Sequence, residues 1–216
     1  MDAVVYHSVR NHLLFEDLIA LKCYQSILTA RRHDTIDLEK FARQITAVLL
    51  EQAPQNFVKP FCNTVNASKM KTVDVVSDAR GWKTQDKPEF LDLASLRSRI
   101  ASTVPAKTTS TLFIDSIVNL TFNGHKESQI AALLGDLKQN FSSVLCIVHT
   151  DVLPSSTFIS ALESVSTCVI ELLPPPQAPL LDVTGTFSLL QKRKSGKVSR
   201  VTEHYHCPKN GMELTF

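Results

Sequence analysis

The sequence predicts an α/β fold: a mainly parallel, twisted sheet flanked by helices, with a C-terminal antiparallel β-meander. Three observations predict it. Between residues 90 and 173, short apolar runs alternate with segments of helical periodicity, as in a parallel sheet covered on both faces. One of those runs, Leu112-Phe113-Ile114, stops at an acid and a hydroxyl, Asp115-Ser116, where a nucleotide-hydrolysing fold presents its magnesium-side aspartate at the end of a buried strand. After the break "PPPQAP", the segment "TFSLLQKRKSGKVSRVTEHYHCPKNGMELTF" changes to strand alternation, with Ser195-Gly196 and Asn210-Gly211 placed as hairpin turns between three strands.

Taken in order, residues 1–70 read as a divergent, mainly helical N-terminal segment. In "HLLFEDLIALKCYQSILTARR" Leu14, Leu18, Leu21 and Ile27 fall at helical spacing, and "DTIDLEKFARQITAVLLEQAP" repeats the pattern through Leu38, Phe41, Ile45, Val48 and Leu49. Asp34 or Asp37 can cap that second helix, and Pro54 limits it. Residues 71–216 form the sheet, the whole making one compact domain, as a chain of 216 residues allows. Val73-Asp74-Val75-Val76 reads as a short strand, "SDARGW" as a turn, and Trp82 as a packing anchor. Phe90, Leu93, Leu96 and Ile100 then share a helical face, followed by a strand over 111–116. A helix through Ile130, Leu133, Leu134, Leu137 and Phe141 leads to the apolar strand 144–148. "SSTFISALESV" is a short helix that Ser155 or Ser156 can cap, and "STCVIELLP" a third strand. On the meander, Val198, Arg200, Thr202, His204 and His206 share one face.

Composition narrows the partners. Hydrophobic residues make up 44% and charged residues 20%, which argues against wholesale disorder, and a net charge of +2 means any basic site must be local. Cys23, Cys62, Cys146, Cys168 and Cys207 are odd in number and hold no CxxC; with Cys146 and Cys168 inside apolar runs, they suit a reducing compartment. His7, Arg10 and His12 interrupt the N-terminal apolar stretch, and no run approaches the ~20 apolar residues that span a bilayer. A soluble protein of the cytoplasm or nucleus is expected, with no membrane partner.

The chemistry expected of Asp115 needs a second part. A glycine-rich turn must let backbone N–H groups wrap the phosphates, with a lysine after it. The six glycines are Gly81, Gly124, Gly135, Gly185, Gly196 and Gly211, and the Gly-Lys pair, Gly196-Lys197, lies in the C-terminal hairpin with Gln191 where the first glycine is wanted. Few other residues adopt the backbone angles of that cradle. Asp115 therefore reads as a degenerate, Walker-B-like acid, and no cofactor or metal is expected. His204 and His206 in "HYHC" have a spacing that can hold zinc, but Cys207 points the other way and a structural site wants four ligands. Ser116, His149 and Asp151 lie at or past strand ends, where doubly wound sheets keep their sites, but no GxSxG elbow is present. The sharpest charge feature is Lys192, Arg193, Lys194, Lys197 and Arg200, within ten residues and without an acid among them. These form a solvated hairpin or a local contact for phosphates or an acidic partner.

Several of these stretches, in their order along the chain, resemble the fifth subunit of the Elongator complex, the Iki1 family. "TLFIDSIVNL" is similar to its strand ending in Ile-Asp-Ser, and "CIVHTDVL" to its next strand. "FSLLQKRKSGKVSRVTEHY" resembles its basic hairpin, and "VDVVSDARGW" a segment ending in tryptophan. The resemblance covers roughly residues 70–216; members usually open with a strand, a degenerate P-loop region and another strand, where helices are read here. It implies a RecA-like fold without a working ATP site. It also implies assembly with the fourth and sixth subunits into a hetero-hexameric ring that binds tRNA and docks on the catalytic subcomplex modifying wobble uridines.

The leading expectation is thus a non-catalytic assembly subunit whose basic hairpin meets tRNA or an acidic neighbour. The rivals are a small α/β hydrolase using Ser116, His149 and Asp151, and a stand-alone RNA-binding module.

Overall fold

A computed structural model of the chain describes residues 3–7, 44–51, 53–55, 70–77, 92–104, 110–150, 156–173, 185–192 and 195–205. Among the described residues eight strands form one sheet: β1 (Ala3–His7), β2 (Gln44–Leu49), β3 (Met70–Asp74), β4 (Ser110–Ile114), β5 (Ser143–His149), β6 (Cys168–Leu173), β7 (Gly185–Lys192) and β8 (Val198–Tyr205). Their spatial order is β3-β2-β4-β5-β1-β6-β7-β8. The first six pair in parallel, and β7 and β8 extend the sheet antiparallel. Four helices are described: α1 (Leu93–Ser102), α2 (Asn119–Phe122), α3 (Glu127–Asn140) and α4 (Ser156–Val165). The expected parallel sheet with a C-terminal antiparallel extension is present.

One expectation is corrected. The helix expected through Ile45, Val48 and Leu49 is strand β2, which lies between β3 and β4, and the chain opens on β1, another strand of the same sheet. Burial gives the reason. Thr46, Ala47, Val48 and Leu49 are consecutive and all at most 1% exposed. A surface helix would turn one of them to water, whereas a strand buried on both faces accepts an unbroken apolar run. Leu38 and Phe41 continue the same spacing but lie outside the described residues, as do Trp82, Phe90 and the strand expected after Asn210-Gly211.

The helices α1, α3 and α4 cover one face of the sheet. Leu96 and Ile100 of α1, Leu133 and Leu137 of α3, and Phe158 and Leu162 of α4 join Val48, Ile114, Val148 and Val169 in one buried cluster. The opposite face is buried too, through Ala47, Phe113, Leu145 and Ile170. Each of these Val, Leu, Ile and Phe side chains contributes about 1.5–3 kcal/mol by leaving water. Helix ends are satisfied locally. Asp92 caps α1 by accepting from Ala94 N at 3.1 Å and Ser95 N at 3.2 Å, and with Ser95 Oγ these donors hold its carboxyl below the usual carboxylate range. Lys71 Nζ donates to Thr103 O just past α1 at 2.9 Å. At the C-terminus of α4, Lys138 Nζ donates to Val165 O at 2.7 Å and Lys192 Nζ donates to Glu163 O. Three lysines thus stand where the helix dipoles favour cations.

Candidate functional site

The carboxyl ends of β2, β4 and β5 are neighbours, so whatever follows each strand meets the others. The ladder continues one step past the strands: Asp115 N donates to Val48 O at 3.2 Å, and Ile117 N to Ile147 O at 3.2 Å. That step carries the Asp115 side chain, 1% exposed, under the exit of β2. There Asp115 Oδ1 accepts from Leu50 N at 2.7 Å and Oδ2 from Glu51 N at 3.1 Å. Asn119, opening α2, adds a bond from Nδ2 to Leu50 O at 2.8 Å. Both carboxylate oxygens of Asp115 are engaged with the backbone of the β2 exit. Hydrogen bonds to an ionised buried acceptor are among the stronger ones in proteins.

Glu51 passes the connection on. Its Oε2 lies 3.3 Å from His149 Nε2, at the end of β5. His149 is 6% exposed and Ser116 1%. Among the described residues no hydrogen bond joins Ser116 to His149, and Asp151 lies outside them. The histidine that the hydrolase alternative pairs with Ser116 faces Glu51. On β5 Cys146 is fully enclosed, and burial first, then the Asp115 charge, push its thiol well above the ordinary cysteine value.

The sheet order locates the position a phosphate loop would take. β1 lies between β5 and β6. The chain leaves β1 toward β2 on one side, while β5 crosses through α4 to β6 on the other, so the two connections diverge at a topological switch point. The residues following β1 read "SVRNHLL", and no glycine precedes Gly81 in the sequence. Gly196-Lys197 lies at the tip of the β7–β8 hairpin, where Gly196 has φ +80°; the glycine serves the turn.

The five hairpin cations are not equivalent. Lys192, half-buried at the end of β7, gives its ammonium to α4. Arg200 on β8 donates from Nε to Ser188 Oγ at 2.7 Å and from Nη2 to Glu171 Oε2. Lys197 is exposed at the turn. Arg193 and Lys194 lie outside the described residues, as do His206 and Cys207. His204 is within 2.9 Å of Thr186 Oγ1, through Nδ1, on the neighbouring strand.

Sequence reasoning missed Leu50, Glu51, Asn119 and Glu171 as members of these networks. The signal for Glu51 was present: an acid following an apolar run, as at Asp115. It was hidden because the run fits helical spacing equally well.

The profile of the Elongator subunit Iki1 family matches residues 36–183, a span opening ahead of β2 and closing after β6. No curated protein matches the chain. Among solved structures, a KaiC-like protein of the hyperthermophilic archaeon Pyrococcus horikoshii superposes with a TM-score of 0.56 at 16% identity, covering 99% of this chain and 89% of that one. At that identity the likeness concerns the fold, which is RecA-like.

Proposed function

This chain belongs to the Elongator subunit Iki1 family, and we propose that it is a non-catalytic subunit that assembles with Elongator subunits 4 and 6 into a hetero-hexameric RecA-like ring. That ring binds tRNA, docks on the catalytic subcomplex, and supports modification of the wobble uridine in the cytoplasm and nucleus. The observation that carries the non-catalytic reading is the engagement of Asp115. In a nucleotide-hydrolysing fold the acid at this strand end faces a hydrated metal; here it secures Leu50 and Glu51. The glycine-free sequence after β1 agrees, since the backbone angles of a phosphate cradle are ones that glycine supplies.

Assembly is supported by exposed apolar groups on the last described strand, Val198 at 53% and Val201 at 48% exposure, because side chains of this kind gain most from burial against a partner. Contact with RNA is supported by Lys197 on the hairpin tip together with Arg193 and Lys194 in the sequence beside it. No described helix is long and apolar enough to cross a membrane.

The test is co-expression with subunits 4 and 6, followed by mass determination of the purified assembly and titration with magnesium-ATP and tRNA. A six-subunit particle that binds tRNA, in which this chain takes up no nucleotide, is expected. Saturable micromolar ATP binding by this chain, or its failure to co-purify with either subunit, overturns the proposal.

A further inference from the structure

We propose that Asn123-Gly124 is a masked deamidation site: the turn that ends α2 withholds the reaction from the folded chain, and deamidation through an opened turn removes that protection permanently. An asparagine followed by glycine suits this chemistry, because glycine has no Cβ to hinder the approach of its own amide nitrogen. In the reaction the Gly124 amide gives up its proton to hydroxide, and the nitrogen attacks Asn123 Cγ. A C–N bond forms, the bond from Cγ to Nδ2 breaks, and Nδ2 takes a proton from water and leaves as ammonia. Water then opens the cyclic imide at either carbonyl. The products are aspartate, or isoaspartate with one more methylene in the main chain.

Three observations show the reaction withheld. Asn123 has φ −88° and ψ 12°, whereas ring closure in an L-residue needs the next nitrogen eclipsed with Cβ, at ψ of roughly −120°. The nucleophile is therefore turned away from Cγ. Its proton is engaged, since Gly124 N donates to Thr121 O at 3.0 Å. The leaving group is engaged as well, since Asn123 Nδ2 donates to Asn119 O at 2.6 Å. Burial is not the cause: Gly124 is exposed, with no atom within 4 Å of where a Cβ would stand, so water and hydroxide reach it.

The turn holds these angles firmly. Gly124 takes φ +87°, and His125 N donates to Leu120 O at 3.2 Å. With the bond from Gly124 N this is the pair that closes a helix on a left-handed glycine. Leu120 is 2% exposed, and Asn119 Nδ2 ties the start of α2 to Leu50 O at 2.8 Å. Rotating ψ of Asn123 breaks the closing bonds together, so the rate follows the population of the opened turn. Either product then spoils the closure. Aspartate loses the Nδ2 donor and sets a carboxylate oxygen against Asn119 O. Isoaspartate lengthens the main chain, so that Gly124 and His125 fall out of step with Thr121 and Leu120.

The test follows aspartate and isoaspartate at position 123 by peptide mass spectrometry, in the full-length chain held in mildly alkaline buffer with and without guanidinium chloride. The folded rate is expected at least ~10-fold below the unfolded one; a folded rate within ~2-fold of the unfolded one overturns the masking. Asn119→Ala, which releases α2 from the β2 exit, is expected to raise the folded rate ~3-fold or more and to leave the unfolded rate unchanged. Equal folded rates with and without that side chain overturn the role given to α2. If Asn119→Ala does not fold, Thr121→Val, which removes the bond from Thr121 Oγ1 to Val118 O at 2.7 Å, replaces it with the same two outcomes. Finally, hydrogen exchange at the Gly124 and His125 amides is expected to be at least ~10-fold faster in chains already modified at position 123. Protection equal to that of the intact chain overturns the permanence.

Discussion

Asp115 and Glu51, far apart in the chain, meet at the carboxyl edge of the sheet, where the Asp115 carboxylate accepts the Glu51 backbone N–H at 3.1 Å. The side chain of Glu51 then reaches His149 Nε2 at 3.3 Å. The Asp115 carboxylate fastens the exit of β2, and through Glu51 and His149 the ends of three parallel strands are tied together.

Replacing Asp115 with alanine leaves the backbone N–H groups of Leu50 and Glu51 without their side-chain acceptor. Urea unfolding is expected to show a loss of roughly 2–4 kcal/mol. Magnesium-ATP at millimolar concentration is expected to leave Tm unchanged in both proteins. A nucleotide-dependent rise in Tm that disappears in the variant marks Asp115 as a metal ligand instead.

Cys146 predicts an alkaline weakness. Its thiol is raised in the folded chain by burial and by Asp115, whereas the unfolded chain ionises near the ordinary value of about 8.5. The unfolded state therefore binds fewer protons above that pH. The contribution is complete below about pH 8.5 and declines as pH rises above it. The measurement is ΔG of unfolding between pH 7 and 10 for wild type and Cys146→Ala. The wild type is expected to lose stability more steeply. Native Cys146 should also resist thiol reagents at pH 8 until urea exposes it.

The hairpin cations divide into two classes that mutation separates. Arg200→Ala removes contacts to Ser188 and Glu171 and is expected to cost about 1 kcal/mol, a modest figure because the ion pair is partly solvated. Lys197→Ala, exposed and off the ladder, is expected to leave urea unfolding unchanged within ~0.5 kcal/mol. For the ring proposed above, the same change is expected to lower the salt slope of tRNA binding by somewhat under 1. Equal effects of the two variants on stability contradict this division.

Two lysines converge on the end of α4. Lys138→Met and Lys192→Met each remove a cation from carbonyls of that last turn, and each is expected to cost roughly 0.5–1 kcal/mol, with the cost shrinking in high salt. Thermal unfolding at low and high salt checks both. Because the two ammonium groups share one helix end, the double variant should depart from additivity.

The stretches legible in the sequence are those whose periodicity admits one interpretation. Val144 to Val148 is too short and too apolar for a surface helix, and it is β5. The helical spacing of Ile130, Leu133, Leu134 and Leu137 is α3, with those four residues buried. β2 was illegible because Ile45, Val48 and Leu49 fit a helical stripe and a doubly buried strand alike, and the arbiter is pairing with β3 and β4, which no local window contains. The candidate site shows the same limit. Asp115 was legible as an acid at a strand end, and the missing glycines as the loss of a cradle. That its carboxylate holds Leu50 and Glu51 depends on that pairing, so it could not be read before β2 was known to be a strand.

β1 pairs with β5 and β6, and Ala3 lies in register with Leu145. β1 therefore waits for its β5 partner until about 140 more residues have been made, roughly 7–30 s at ordinary synthesis rates. During that interval an apolar strand has both backbone edges open, a state prone to mispairing and to capture by chaperones. Loss of the first few residues would not trim a rim. It would open a slot through the middle of the sheet, between the strand that ends at His149 and the strand that ends at Leu173.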